Sequence, residues 1–309
     1  MKVYPYFDSH CDTISKMLTN QVGLNSPSLE VNLSALSAYK PTVQVFALYN
    51  DGSFCKNDVL SSFQKFKNEC KRFSRQIAFK RSCGGIKHNA YMGRATALLA
   101  IEALGNQPDF SIDNIIDYHR SGVRIMSLCW NDDNILCGGT NKNLSGLTGL
   151  GAEVLKKMKK LKIILDVSHM SDKSFYEALQ VYDLPMCATH SSSRSVCNHP
   201  RNLTDDQFLK IAARGGMCGI NFYPPFLGGN KPGINQVIAH IEHFMALGGE
   251  DAIGIGADFD GTDRTACGLE NAGLTYKLFD ALLSLNYKES TVNKIAFYNF
   301  YKFLKNFEF

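Results

Sequence analysis

His10 and Asp12 lie two residues apart at the end of the strand-like segment that runs through Tyr6-Phe7-Asp8-Ser9. Successive side chains of a strand alternate faces, so this spacing puts an imidazole and a carboxylate on one side and Cys11 on the other. Such a pair suits a borderline divalent ion such as Zn²⁺; a polar turn pair with no ligand is the plainer alternative. Glu102 directly follows the apolar run 97–101. A carboxylate there either bridges cations, which offsets the cost of burying it, or has already reached water. His169 follows the buried-looking run 163–168 and His190 the run 186–189. A lone histidine capping a strand is more often a satisfied core or loop residue than a ligand. Asp166 lies on the opposite face from His169, so a supporting role for it has little basis in the spacing. Two carboxylates close the segment Gly254-Ile255-Gly256-Ala257-Asp258-Phe259-Asp260-Gly261. Asp258 is placed for proton transfer or ligation, whereas Asp260 before Gly261 also reads as a turn residue.

Those residues need elements to hold them. Strand-length apolar runs occur at 3–9, 42–48, 95–101, 124–128, 163–168, 185–189, 216–221 and 252–257. Several are near-continuous, as in parallel strands covered on both faces. Between them, Val59, Leu60, Phe63, Phe66, Cys70, Phe73 and Ile77 recur at helical spacing and predict one long amphipathic helix. Ser171-Asp172 and Thr204-Asp205-Asp206 carry helix-start chemistry, and helices are also predicted over 150–161, 234–247 and 291–304. Eight strands alternating with helices predict a (β/α)8 TIM-like barrel, read as one domain over residues 1–309. The competing doubly wound sheet would bring a glycine-rich loop after its first strand; Asp8-Ser9-His10-Cys11-Asp12 stands there instead. In a barrel, strand C-terminal ends form the active face. His10, Asp12, Glu102, His169, His190 and Asp258 all fall at such ends, which says more than any one of them does.

Composition narrows the partners. The net charge of +4 is small and its cations are scattered, which argues against nucleic acid. The densest basic run, Lys156-Lys157-Met158-Lys159-Lys160, reads as a solvated helix face. No apolar run reaches membrane-spanning length. The opening Val3-Tyr4-Pro5-Tyr6-Phe7 lacks the basic and cleavage regions of a leader. Ten cysteines without a CxxC pair then fit reduced thiols in a cytoplasmic protein.

Taken in order, several segments resemble the membrane (renal, microsomal) dipeptidase family of zinc peptidases. They are Phe7-Asp8-Ser9-His10-Cys11-Asp12, Gly122-Val123-Arg124, Leu165-Asp166-Val167-Ser168-His169-Met170-Ser171, Thr189-His190-Ser191-Ser192, Pro200-Arg201-Asn202 and Gly256-Ala257-Asp258-Phe259-Asp260-Gly261. The resemblance implies a barrel with two Zn²⁺ per chain, one held by His10, Asp12 and Glu102 and the other by Glu102, His169 and His190. It implies a metal-bridging hydroxide attacking the peptide bond of L-Xaa-L-Xaa and L-Xaa-D-Xaa dipeptides, with Asp258 moving the proton and Arg201 pairing with the substrate carboxylate. It also implies a homodimer. Two positions depart from the pattern. Leu128-Cys129-Trp130 stands where some relatives carry a carbonyl-polarising histidine, which leaves Asn131 or the metal for that task. Phe226 stands where some carry a tyrosine, which leaves Tyr223 to help bind substrate.

Two other readings stay open. One is another binuclear amidohydrolase, acting on a cyclic amide, lactone or phosphoester. The other is a catalytically silent metal- or ligand-binding barrel.

Overall fold

The computed structural model describes residues 2–142 and 144–307; Met1, Asn143, Glu308 and Phe309 lie outside the described residues. Among the described residues nine parallel strands follow one another: β1 (Tyr6–Cys11), β2 (Thr42–Tyr49), β3 (Ile77–Phe79), β4 (Ala95–Glu102), β5 (Val123–Ser127), β6 (Ile164–Asp166), β7 (Cys187–Ala188), β8 (Met217–Ile220) and β9 (Ile253–Ile255). Eight of them close a ring, because β2 pairs with both β1 and β4, and β9 returns to β1. The expected (β/α)8 barrel is therefore the architecture.

β3 lies outside the ring and pairs only with the first residues of β4, from Ile77↔Ala95 to Phe79↔Ala97. This corrects the long helix predicted through Ile77. The helix Lys56–Arg72 stops before Phe73, and the fully buried Ile77 joins the sheet. Ile77 fits the helical repeat by its spacing alone, but its β-branched side chain favours the pleated neighbour it finds. Two boundaries also move. β1 begins after Pro5, which has no N–H to give a ladder. The C-terminal helical stretch is interrupted by a π-turn at Lys294–Tyr298.

Two apolar layers follow from strand alternation. Val43, Val45, Ala47, Leu98, Ala100, Ile125 and Ile164 point inward with Phe7. Phe46, Leu48, Leu99 and Ile101 point outward to helices such as Lys56–Arg72, where Phe66 lies 4.6 Å from Phe46. The C-terminal aromatics close the barrel floor: Phe300 stacks on Phe7 at 5.3 Å and fills the space a side chain at Gly254 would take.

One irregularity sets the site. Asp8 pairs with Gln44 and Cys11 with Phe46, so three steps along β1 span two along β2. This bulge lets Phe7 and Ser9 face the interior and then returns His10 and Asp12 to the same interior, while Cys11 stays outside. Bulges beside sites commonly re-aim a side chain in this way.

Candidate metal centre

The strand ends bring His10, Asp12, Glu102, His169, His190 and Asp258 together at one mouth of the barrel. Each is at most 8% exposed. His10 Nε2 lies 3.3 Å from Asp12 Oδ2, and 3.9 Å from both Glu102 Oε2 and Asp258 Oδ1. On the other side, Glu102 Oε1 lies 2.7 Å from His169 Nε2 and 3.4 Å from His190 Nε2. The two histidine Nε2 atoms are themselves 2.8 Å apart. Three overlapping donor groups result: His10, Asp12 and Glu102; Glu102, His169 and His190; and His10, His190 and Asp258.

The donor chemistry fits divalent ions. Asp12 Oδ1 and Glu102 Oε1 are buried without a hydrogen-bond partner, although Glu102 Oε1 is in close contact with His169. Orphaned buried carboxylate oxygens are costly unless a cation meets them. His169 Nδ1 lies 2.8 Å from Asn131 Oδ1 and His190 Nδ1 lies 2.8 Å from Thr189 Oγ1, which leaves the Nε2 lone pairs of both rings converging on Glu102. Converging lone pairs and carboxylates repel each other, and a cation between them resolves the conflict.

Protonation follows the same geometry. Burial holds His169 and His190 well below the usual imidazole range, aided by Arg201, so both are neutral donors. Burial also opposes charge on His10, yet Glu102, Asp12 and Asp258 outweigh it and lift His10 to about 10. Glu102 is raised well above the ordinary carboxylate range by burial and by Asp12. Asp258 is raised too, chiefly by burial.

Asp258 adopts a left-handed φ of +66° and accepts a hydrogen bond from Asn221 Nδ2 at 3.0 Å. Asp260 has a different environment. Its carboxylate accepts from Thr13 Oγ1 at 2.7 Å and from Glu30 N at 2.8 Å, and it meets Lys16 Nζ at 3.3 Å. Gly261 lies against the donors: a Cβ there would come within 2.3 Å of Asp12 Oδ2.

A cavity of about 760 Å³ opens over this cluster. Arg201, 3% exposed, donates to Ser168 O and lies 3.1 Å from His169 Nε2, with its guanidinium over the Phe226 ring. Tyr223, Asn131, Tyr49, Trp130 and His199 also line the cavity.

A family model described as membrane dipeptidase (peptidase family M19) matches residues 1–309. The chain belongs to the membrane dipeptidase family. As a member it is an enzyme that hydrolyses dipeptides. It is 32% identical over 201 residues to an uncharacterized Klebsiella pneumoniae protein encoded in the pqqA 5′ region, covering 61% of this chain and 74% of that protein. It is also 32% identical over 205 residues to an uncharacterized dipeptidase of Schizosaccharomyces pombe, where the match spans 63% of this chain but only 49% of the yeast protein. Among solved structures, a Rhodobacter sphaeroides metallopeptidase bound to a phosphinate mimic of L-Ala-D-Ala shares the fold, with TM-score 0.90, 22% identity and 99% of each chain covered. The probable dipeptidase PvdM of Pseudomonas aeruginosa shares it with TM-score 0.82 and 15% identity, over 92% of this chain and 90% of that one. No helix among the described residues of this family member is long and apolar enough to cross a membrane.

Several site residues escape a reading of the sequence. Tyr49 is the last residue of β2, one beyond the run predicted as strand, and pairs with Glu102. Trp130, which the sequence marks only as a departure from the family pattern, stands 5.6 Å from Tyr49 and forms the same wall. His199, directly before Pro200-Arg201-Asn202 but not itself singled out, lies 4.6 Å from Phe226 with the two rings tilted. Asp166 lies on the inner face, as parity requires, yet it reaches the histidines through Thr189, with Thr189 Oγ1 donating to it at 2.5 Å. Its Oδ1 accepts from Thr189 N and Ser168 N, both at 3.0 Å. By taking those amides it ends the β6–β7 ladder, which frees His169 and His190 to turn into the mouth.

Proposed function

We propose that this family member is a zinc dipeptidase that holds two ions and cleaves L-Xaa-L-Xaa and L-Xaa-D-Xaa dipeptides. One observation carries the reading: Glu102 offers one oxygen toward His169 and His190 and the other toward His10, as a carboxylate shared by two cations would. His10, Asp12 and Glu102 would hold one ion, and Glu102, His169 and His190 the other. Histidine and carboxylate donors suit Zn²⁺, and Mn²⁺ also accepts such a set. When bound, such ions polarise a carbonyl and ionise water near neutral pH.

The chain's own residues do the rest. Asp258, raised by burial and steadied by Asn221, takes the proton of the attacking water and passes it to the leaving amine. Arg201, which lines the cavity with its guanidinium over Phe226, pairs with the free C-terminal carboxylate, a task its planar fork suits. Tyr223 and Asn131 contact substrate from the cavity wall, although Asn131 also braces His169. The L-Ala-D-Ala mimic bound by the Rhodobacter protein supports tolerance of a D residue at the second position. Ten cysteines, most of them buried, support a cytoplasmic setting, and family likeness supports a homodimer.

A panel of L-Ala-L-Ala, L-Ala-D-Ala, D-Ala-L-Ala and L-Ala-L-Ala amide tests the reading. The first two should be cleaved, and Arg201→Ala should cost them roughly 30–5,000-fold in kcat/KM, the loss expected when one partner of a buried charge pair is removed. The amide should lose far less. Hydrolysis of a lactone or phosphotriester with no action on any dipeptide would reject it.

A further inference from the structure

Behind the metal donors, one hydroxyl serves both halves of the site. Thr189 is fully buried just beyond β7. Its Oγ1 donates to Asp166 Oδ2 at 2.5 Å and lies 2.8 Å from His190 Nδ1 and 3.3 Å from His10 Nδ1. A hydroxyl has one proton and two lone pairs. With the proton committed to Asp166, both lone pairs can only accept, so both imidazoles must carry a proton on Nδ1. The Nε2 lone pair of His190 then faces the donor cluster, and so does that of His10 once a bound cation displaces the proton that Glu102, Asp12 and Asp258 otherwise hold there. Ser168 Oγ, 3.3 Å from Thr189 Oγ1, does not compete as a donor, because its own proton goes to Asp166 Oδ1 at 2.6 Å.

We propose that Thr189 is a tautomer lock shared by the two ion sites: its hydroxyl, aimed by Asp166, fixes His10 in one donor set and His190 in the other as Nε2 ligands. Thr189 is thus a positioning residue, and the inference rests on the two-ion reading above. Asp166 supplies the direction. Its Oδ1 is held by three donors, Ser168 N, Ser168 Oγ and Thr189 N, which leaves Oδ2 to the Thr189 hydroxyl.

That arrangement makes three substitutions behave differently. Thr189→Ser keeps the hydroxyl. Thr189→Val keeps the shape but leaves two buried Nδ1–H groups without an acceptor, so both sites weaken. In Asp166→Asn the same three donors hold the amide oxygen, and the amide nitrogen then points at Thr189. The hydroxyl must accept from that amide and turn its own proton toward one imidazole. That ring then carries its proton on Nε2 and cannot ligate, so one site fails while the other survives.

The test is a zinc titration of the chelator-stripped full chain against a chromophoric competitor. It is paired with thermal melts of the stripped proteins and long-range ¹H–¹⁵N spectra of the histidine rings after loading. The wild type should bind two ions with His10 and His190 both in the Nδ1–H form. Thr189→Val should weaken both sites by roughly 10–100-fold, the usual cost of losing a partner behind a ligand. Asp166→Asn should lose one ion and show one ring with its proton moved to Nε2, while Thr189→Ser stays near wild type. Two tight ions in Thr189→Val, or equal weakening of both sites in Asp166→Asn, would overturn the lock. Should Thr189→Val melt before loading, the contrast between Asp166→Asn and Thr189→Ser decides. A wild type that binds fewer than two ions removes the two-ion reading itself. Two ions in the wild type with unaltered variants removes only the lock.

Discussion

Two aspartates only two residues apart, both with left-handed φ, have different work in this molecule. Asp260 is saturated by Thr13, Glu30, Val31 and Lys16 and ties the segment around Glu30 to the end of β9. Asp258 keeps one oxygen toward His10 and the donors. Asp258→Asn is therefore expected to keep its ions and lose about 10²–10⁴-fold in kcat, the range for a positioned acid–base group. Asp260→Asn should lower the unfolding free energy by about 1–3 kcal/mol for the disturbed buried hydrogen bonds, and change kcat far less. Metal content, kcat and chemical denaturation of the two variants check this pair. If Asp258→Asn turns over normally, the proton-transfer assignment fails. At this scale the sequence exposes residues that end apolar runs, such as His10, Glu102 and His190. It hides relations between strands. The spacing of Asp166 from His169 gives no sign of a supporting role, yet its carboxylate meets Thr189, 23 positions away and just beyond the neighbouring strand.

Elements decide where those side chains point. Eight barrel strands are readable as apolar runs because helices and interior cover both their faces. The bulge in β1 is not readable, since no residue of Asp8-Ser9-His10-Cys11 demands it; it exists only as a register against β2. β3 escapes because Ile77 satisfies a helical repeat and a strand equally well. The turn after β9 is readable from Asp260-Gly261, but its tightness is not: Gly261 has room for hydrogen only, with Asp12 Oδ2 and Asp258 Oδ1 within 2.3 and 2.8 Å of a Cβ. Gly261→Ala should push Asp12 off its position and weaken the His10–Asp12 ion site by roughly tenfold or more, as disturbed ligand support does. The His169–His190 site should be spared. Zinc titration of the variant measures both. Equal loss at both sites would mean that the turn acts on the whole mouth rather than on Asp12.

At the scale of the whole molecule, buried acids shape stability as well as chemistry. Burial raises Asp8 from 3.8 to about 6 while His10 N and Ala257 N share one of its oxygens. Between those values the folded chain keeps a proton that the unfolded chain has released. Stability therefore falls as pH rises through that window, by up to about 3 kcal/mol from this residue. In chelator-stripped protein, Asp8→Asn should flatten that fall between pH 4 and 6.5 relative to wild type. Denaturant midpoints across the range check it, and parallel curves for the two proteins would contradict it. The bound ions should act in the opposite direction, since ligands that bind only the folded chain stabilise it by mass action.

The most direct test of the central claim is the count of metal ions against turnover. Protein purified without chelator would be assayed for zinc, manganese and cobalt, stripped, and then reloaded stepwise while L-Ala-L-Ala hydrolysis is followed. Two ions per chain, activity abolished on stripping, and recovery that completes only as the second ion enters are the predicted results. Hydrolysis that survives complete stripping, or a chain that takes up no ion and regains nothing with Zn²⁺, Mn²⁺ or Co²⁺, would contradict the account.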